Sequence, residues 1–281
     1  MLSLVPTPIG NLDDLSFRAL DRLTKAEVFF CEDTRVTKKL LRLLRERRGA
    51  VFQSVARFIP LHSHNERSLV QSLDRALFDR PCVYVGDAGT PCVSDPGAAL
   101  VDYAIKNRIE YEVLTGACAA TTAFAASGFA DPRFIFYGFL PHKANARKAE
   151  LEAALKLPFA LILYESPHRV EDFAALIGSL APDRTIAAFK EMTKLHEKRY
   201  IGAAAGFANA LETMSVKGEW TIAIAPPNEQ ETRQNERLIA QLAALNAPIK
   251  PLSKILAELS GENAGAWYDK LKRDREAKSK L

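Results

Sequence analysis

Cysteine is scarce in this chain. Four stand in 281 residues, Cys31, Cys82, Cys92 and Cys118, none in a C-x-x-C pair and most in or beside apolar runs. That pattern argues against a disulfide framework or a zinc site and predicts reduced thiols in a cytoplasmic protein. Long apolar runs are missing as well. None approaches the roughly 20 residues needed to span a bilayer, so no membrane is expected as a partner. The opening MLSLVPTPIGNLDD has no basic segment ahead of a long apolar one, which predicts no signal peptide. Two phosphate-binding patterns are also lacking. Without G-x-x-x-x-G-K-[ST] there is no triphosphate cradle, and without G-x-G-x-x-G no nicotinamide or flavin Rossmann site. There are no internal repeats or low-complexity tracts. The net charge of +4 is too mild to name a partner by itself.

What is present describes an α/β protein. At 281 residues and 48% hydrophobic, the chain can bury one large core or two smaller ones, and two is the better expectation. Short apolar runs alternate with helical periods. Strands are predicted at 2–5, 27–31, 58–61, 82–85 and 110–114, with helices near 15–25, 35–47, 66–78, 97–107 and 117–128. A second set follows, with strands near 134–138, 159–164, 185–190, 197–201 and 220–225 and helices near 146–155, 168–180 and 203–213. After Pro226-Pro227 the strand-like runs stop, and helices are predicted near 231–245, 251–260 and 263–275. The expected domains are 1–115 and 116–227, both α/β, with a small helical appendage over 228–281.

The most informative stretch is Val85-Gly-Asp-Ala-Gly-Thr-Pro-Cys-Val-Ser-Asp-Pro-Gly97. It begins where a strand ends, the position at which open α/β sheets bind ligands. It holds Asp87 and Asp95 but no Lys or Arg, which suits a ribose or a sulfonium better than a triphosphate. A tight turn with capping aspartates is the plainer reading.

Other segments also sit at strand ends. Val5-Pro-Thr-Pro-Ile-Gly-Asn11 is a proline-stiffened wall rather than an anion nest, because two N–H donors are gone. Cys31-Glu-Asp-Thr-Arg35 leads into a helix on which Arg35, Lys38, Lys39 and Arg42 share a face opposite Val36, Leu40, Leu43 and Leu44. That face is either a solvated charged surface or a track for phosphates. In Leu61-His-Ser-His-Asn-Glu66 the two histidines are expected to point to opposite sides. Their spacing favours contact with substrate over a metal, and Asn65 is equally a helix cap. Leu163-Tyr-Glu-Ser-Pro-His-Arg169 gathers Tyr164, Glu165, His168 and Arg169 beside a Ser-Pro helix start. Lys190-Glu-Met-Thr-Lys-Leu-His-Glu197 and Lys217-Gly-Glu-Trp220 complete the set. A basic loop over 138–148 carries His142, Lys143, Arg147 and Lys148. Six such segments at consecutive strand ends describe one cleft.

VPTPIGNL, EDTR, HxHNE, DAGTP–SDPG, SGF, RF–GFLP, YESPHR, KE–TK and KGEW, in that order, resemble the bacterial small-subunit ribosomal RNA 2′-O-ribose cytidine methyltransferases of the tetrapyrrole methylase superfamily. The resemblance covers about residues 1–226. It implies two α/β domains with S-adenosyl-L-methionine bound between them, a homodimer, and 16S rRNA of the small ribosomal subunit as substrate. The implied cofactor positions are Pro8, Gly10, Asp87, Ala88, Gly89, Thr90, Gly116, Cys118, Ala119, Tyr164 and Ala225. Where the family commonly has serine before DAGTP this chain has Gly86, and where it has Pro-Gly-Pro this chain reads Thr115-Gly116-Ala117.

Catalytic candidates are Glu32, Asp33, Glu165 and Arg169, with His168, Glu191 and Lys194 behind them; no metal is needed. RNA-binding candidates are Arg35, Lys38, Lys39, Arg42, His64, Lys143 and Lys194. Methylation of a corrin precursor and a noncatalytic RNA-binding role remain as alternatives. The basic segments favour RNA over a tetrapyrrole.

Overall fold

A computed structural model describes residues 1–228, 237–245, 247–260 and 262–278. The chain divides into two compact units. The first is Met1–Thr122 with Lys190–Lys198, and the second is Ala123–Phe189 with Arg199–Leu281.

In the first unit β1 (Leu2–Leu4), β2 (Val28–Cys31), β3 (Arg57–Pro60), β4 (Cys82–Val85) and β5 (Tyr111–Val113) form one sheet in the order β3-β2-β4-β1-β5. Its recorded pairings are all parallel. Such a sheet must be covered on both faces, and the side-chain alternation does this. Val28 and Phe30 of β2 and Tyr84 of β4 pack with Leu100 and Ala104 of α4 (Ala98–Lys106) and Val70 of α3 (Glu66–Gln71). Phe29, Cys31, Val83 and Val85 pack on the other face with Leu23 of α1 (Phe17–Lys25) and Leu41 and Leu44 of α2 (Thr34–Arg48).

Local signals set the helix ends. The Ser16 hydroxyl accepts the Ala19 N–H at 3.1 Å to open α1. Asp33 caps α2 by accepting the Arg35 N–H at 2.8 Å. Gly49 closes α2 in the left-handed conformation, φ 64°, after a last turn carrying Arg45, Arg47 and Arg48.

The second unit holds β6 (Phe134–Phe139), β7 (Ala160–Glu165), β8 (Thr185–Lys190), β9 (Lys198–Ala203) and β10 (Trp220–Ile224), ordered β6-β7-β10-β8-β9. It is a mixed sheet, with β6 parallel and β10 antiparallel to β7. Leu163, Ile186, Trp220 and Ile222 face α6 (Ala144–Ala154), α7 (Val170–Leu180) and α8 (Phe207–Thr213), the packing helix residues being Leu151, Phe173, Ile177 and Phe207. In chain order α5 (Ala119–Ser127) precedes this sheet. The final helices α9 (Ile249–Ser260) and α10 (Ala264–Lys278) share a small core of Leu252, Leu256, Trp267 and Leu271.

The α/β class, the strands and most of the helices read from the sequence are found here. Part of the helix expected over 231–245 lies outside the described residues; 237–243 is helical. The helix expected over 66–78 is two pieces. α3 ends at Gln71, and Asp74 then opens a separate 3₁₀ turn over Arg75–Asp79 by accepting the Ala76 N–H. Ser166-Pro167 does not start a helix: 166–169 is a turn, and α7 begins at Val170. On α2, Val36 is exposed, and Thr37 joins Leu41 and Leu44 on the buried face.

Phe30 is fully buried and stacks on Phe78 at 5.9 Å, whereas Phe17, in the same unit, is 90% exposed. Phe30→Ala is expected to destabilise by about 3–5 kcal/mol through reduced burial and a cavity. Phe17→Ala should change stability by less than about 0.5 kcal/mol. Urea unfolding of the two variants checks the contrast.

Candidate active site

The parallel pairing of β2 with β4 sets Cys31 opposite Val85, so the loops that follow leave the sheet side by side. Each loop serves the other's polar groups. The Asp87 N–H donates to Glu32 Oε2 at 3.1 Å, and the Asp33 N–H donates to Asp87 Oδ1 at 3.1 Å. The loop after β1 joins them, with Thr7 and Gly89 exchanging two backbone hydrogen bonds of 2.9 and 3.0 Å. Thr90 Oγ1 then donates to the Ala117 carbonyl at 2.9 Å, tying in the turn after β5. The expected cofactor residues Pro8, Gly10, Asp87, Ala88, Gly89, Thr90, Gly116 and Cys118 therefore occupy three laced loops of one unit, and Ala119 opens α5 directly after the third.

A fourth segment packs on the same loops. Residues 190–198 run from the end of β8 to the start of β9 yet belong to the first unit. Thr193 Oγ1 accepts the Asn11 N–H at 3.1 Å, and any Cβ at Gly10 would collide with Lys194 and Thr193. Lys194 Nζ reaches Glu191 Oε1 at 2.8 Å. Glu191 and Thr193 are held at φ 53° and 64°, and Cys92 and Ser94, in the loop after β4, at 66° and 67°. Non-glycine residues there cost on the order of 1–3 kcal/mol each and persist where the surroundings over-determine them.

Carboxylates gather at one of these loops. Glu32, Asp87 and Asp95 meet at Gly86, where a Cβ would stand 2.5 Å from Asp95 Oδ2 and 3.7 Å from Glu32 Oε2. A serine at 86, usual in the resembled family, would push the Asp95 carboxylate aside. Asp95 Oδ2 is buried without a hydrogen-bond partner. Burial first, then the charges of Glu32 and Asp87, push the Asp95 carboxyl up to about 7. Partial burial and Glu32 push Asp87 up as well. Asp33 differs: its hydrogen bonds with Arg35 hold it down at about 2. Sequence reasoning left Asp95 out of the site, since an aspartate in Ser-Asp-Pro-Gly reads as a turn former. Its signal was its place eight residues after Asp87 in the same loop, without a cation between them.

The remaining candidates fall as follows. Arg35 makes a two-point pair with Asp33 and is otherwise exposed. Lys38, Lys39 and Arg42 lie on the exposed side of α2. His64 is exposed, and its ring faces that of His62 at 6.0 Å, so the two histidines do not point apart. Asn65 precedes α3, but its side chain reaches backwards, accepting the His62 N–H and donating to the Pro60 carbonyl. Glu66, the last residue of that motif, accepts the Gly97 and Ala99 N–H groups at 2.8 and 2.7 Å and so holds the start of α4.

In the second unit Glu165 is buried, and its Oε1 accepts from the Ser166 N–H and from Arg169, which also donates to the Leu140 and Pro141 carbonyls. Tyr164 packs edge-on with Phe136 and Phe139. Ala225 follows β10, and its N–H donates to the Thr185 carbonyl. Lys143 is exposed ahead of α6. Arg147, which the sequence put in the basic loop, is instead a buried helical residue 3.4 Å from Asp172. Among the described residues no group of three or more His, Cys, Asp or Glu is arranged to hold a metal ion.

A parallel sheet with laced, carboxylate-rich loops at its carboxyl edge, in a chain with a second, mixed sheet, defines a two-sheet α/β protein. The chain belongs to the Tetrapyrrole (Corrin/Porphyrin) Methylases, whose pattern it matches over residues 1–208. It is 39% identical over 273 residues to the ribosomal RNA small subunit methyltransferase I of Campylobacter fetus, covering 96% of this chain and 99% of that one. It is 40% identical over 280 residues to the protein of that name from Helicobacter pylori strain 26695, covering 95% and 96%. The Bacillus subtilis protein of that name is 35% identical over 245 residues, covering 87% and 81%. The fold is also that of diphthine synthase, with a TM-score of 0.59 at 15% identity, covering 83% of this chain and 93% of that one. A Thermus thermophilus uroporphyrin-III C-methyltransferase complexed with S-adenosyl homocysteine gives 0.53 at 17% identity, covering 79% and 96%.

The raised Asp95 carboxyl makes a pH prediction. A group above the ~3.9 of an unfolded chain favours the fold most below about pH 4, and that contribution fades as the pH rises through about 7. The neutral isostere Asp95→Asn should differ little from the parent near about pH 3, below both values. Near about pH 8 it should be more stable by on the order of 1–2 kcal/mol, discounted for partial solvation. Urea midpoints measured at both pH values check this, and equal midpoints at the higher pH would contradict it.

Proposed function

We propose that this chain is a methyltransferase of small-subunit ribosomal RNA that uses S-adenosyl-L-methionine to methylate a cytidine ribose 2′-hydroxyl of 16S rRNA. The observation that carries the reading is the laced loop set at 6–10, 86–90 and 116–119, together with relatives near 40% identity over almost the whole chain. The donor chemistry fits the cofactor. Carboxylates and backbone groups, with no Lys or Arg in the 86–97 loop, suit hydroxyls and a cationic sulfur rather than a phosphate chain. When bound, the cofactor supplies a methyl group already activated on a positively charged sulfur.

The chain's own residues then orient and manage one proton. Pro8, Gly10, Asp87 to Thr90, Gly116, Cys118 and Ala119 are assigned to hold the cofactor; the assignment of Tyr164 and Ala225 rests on the family resemblance alone. Glu32 leads the four catalytic candidates as acceptor of the hydroxyl proton. Asp33 is a weaker base because Arg35 holds its pKa low. Glu165 accepts from Arg169, which also donates to the Leu140 and Pro141 carbonyls, a brace for the loop that carries His142 and Lys143. A positioned base adds about 10²–10⁴-fold in rate, and alignment supplies much of the rest. Arg35, Lys38, Lys39, Arg42, His64, Lys143 and Lys194 are assigned to RNA. The homodimer rests on the family resemblance alone.

Purified chain should transfer label from S-adenosyl-L-methionine to small ribosomal subunits and not to corrinoids, and the product should resist alkaline cleavage at one cytidine. Asp87→Ala should weaken cofactor binding by about tenfold in calorimetry with little change in melting temperature. Glu32→Gln should cut single-turnover rate by about 10²-fold or more while leaving cofactor affinity within a few-fold. Transfer to corrinoids instead of subunits would overturn the substrate assignment, and unchanged affinity in Asp87→Ala the cofactor site.

A further inference from the structure

The basic side of α2 is more than a charged surface, because it forms one wall of a hollow. The segment 50–58 folds back along α2, and between them lies a space of about 220 Å³. Its rim carries Lys38, Arg42 and Arg45, which at i, i+4 and i+7 stand on one face of the helix. Opposite stand Phe52, Gln53 and Phe58, and no Asp or Glu lines the space. The aromatic floor is fixed, since Phe58 stacks on fully buried Phe29 at 5.0 Å with the rings 15° apart. Cations already lie over the rings: Lys38 Nζ is 5.0 Å from the centre of Phe58, and the Arg45 guanidinium is 5.9 Å from that of Phe52.

We infer that this hollow binds one unpaired nucleotide of an RNA strand, with the base against Phe52 and the adjoining phosphate on Arg42 and Arg45. The inference rests on the RNA reading proposed above and deepens it: Lys38 and Arg42, already assigned to RNA, become the rim of a site for one unpaired nucleotide. Three features select this occupant. The hollow is smaller than the ~300 Å³ at which drug-sized pockets begin, so it suits a single flat ring system. Aromatic faces beside cations are how proteins hold single strands, because every base can stack and every residue of the strand brings a phosphate. Gln53 adds an amide with both donor and acceptor capacity for a base edge. A wholly paired helix would meet the rim cations but could not place a base on the floor. Arg42 is only loosely held by the one acid of α2, Glu46, at 4.0 Å, an exposed pair of little strength.

The test uses the full chain and short oligouridylate carrying a photoreactive 4-thiouridine. Irradiation should join the strand to the peptide that contains Phe52, as read by mass spectrometry. Phe52→Leu keeps an apolar side chain and removes the ring, and should weaken oligouridylate binding about tenfold while leaving RNA duplex binding alone. Arg42→Gln with Arg45→Gln should reduce the salt slope of single-strand binding by about 0.7 for each phosphate no longer neutralised. Calorimetry with S-adenosyl-L-methionine and the melting temperature report that each variant is folded.

Crosslinks confined to other segments, or unchanged affinity and slope in folded variants, would overturn the inference. So would an equal loss of heparin binding in Phe52→Leu, which would mark the hollow as a general polyanion surface. The two proposals fail separately. If subunits are not methylated but oligouridylate still depends on Phe52, the function falls and the hollow stands. If subunits are methylated and bound equally well by all variants, the hollow alone falls.

Discussion

The pairing of β2 with β4 is the constraint on which the site depends. With Val28 opposite Cys82 and Cys31 opposite Val85, the two strands end level and their loops start as neighbours. Only then can the Asp87 N–H meet Glu32 while the Asp33 N–H meets Asp87. A slip of one residue would break these bonds and also turn Phe29 and Phe30 to the wrong faces of a sheet covered on both sides. The core therefore fixes the register, and the register fixes the carboxylates. Positioning by a buried sheet is more exact than positioning by a free loop.

The loops so placed keep features that oppose folding. Asp95 is partly buried beside two further carboxylates, with one oxygen lacking a partner. Four non-glycine residues in the loops after β4 and β8 hold positive φ. Clustered carboxylates and strained backbone at one sheet edge are the features on which the proposed cofactor site rests. Elsewhere the same residue types are used differently. Asp33 is neutralised by Arg35, Glu165 by Arg169, and Arg147 faces Asp172. The contrast separates carboxylates paired with a guanidinium from Glu32, Asp87 and Asp95, which sit together without one.

Much of the fold was legible because both units use near-continuous apolar strands between amphipathic helices. Cys82–Val85 and Thr185–Lys190 end where composition alone puts them. What sequence could not supply was the nonlocal part. The return of 190–198 to the first unit is a packing event with no local signal, as is the facing of His62 and His64 across a loop. Arg147 was misread because a basic residue in a basic stretch looks solvated; its burial against Asp172 is set by the α6 face that carries Leu151. The break after α3 turned on Asp74, whose capping of a new turn outweighed the helical period around it. At the site, the loop residues were visible as motifs. The grouping of Glu32, Asp87 and Asp95 around Gly86 required the strand order.

The central claim is that the loops at 6–10, 86–90 and 116–119 act together as the cofactor-binding edge of the parallel sheet. Amide hydrogen exchange, followed by mass spectrometry with and without S-adenosyl-L-methionine, tests it most directly. Added cofactor is expected to slow exchange in all three loops together, and to leave the amides of α9 and α10 unchanged. Slowing confined to other segments, or no change in any of the three loops at saturating cofactor, would contradict it.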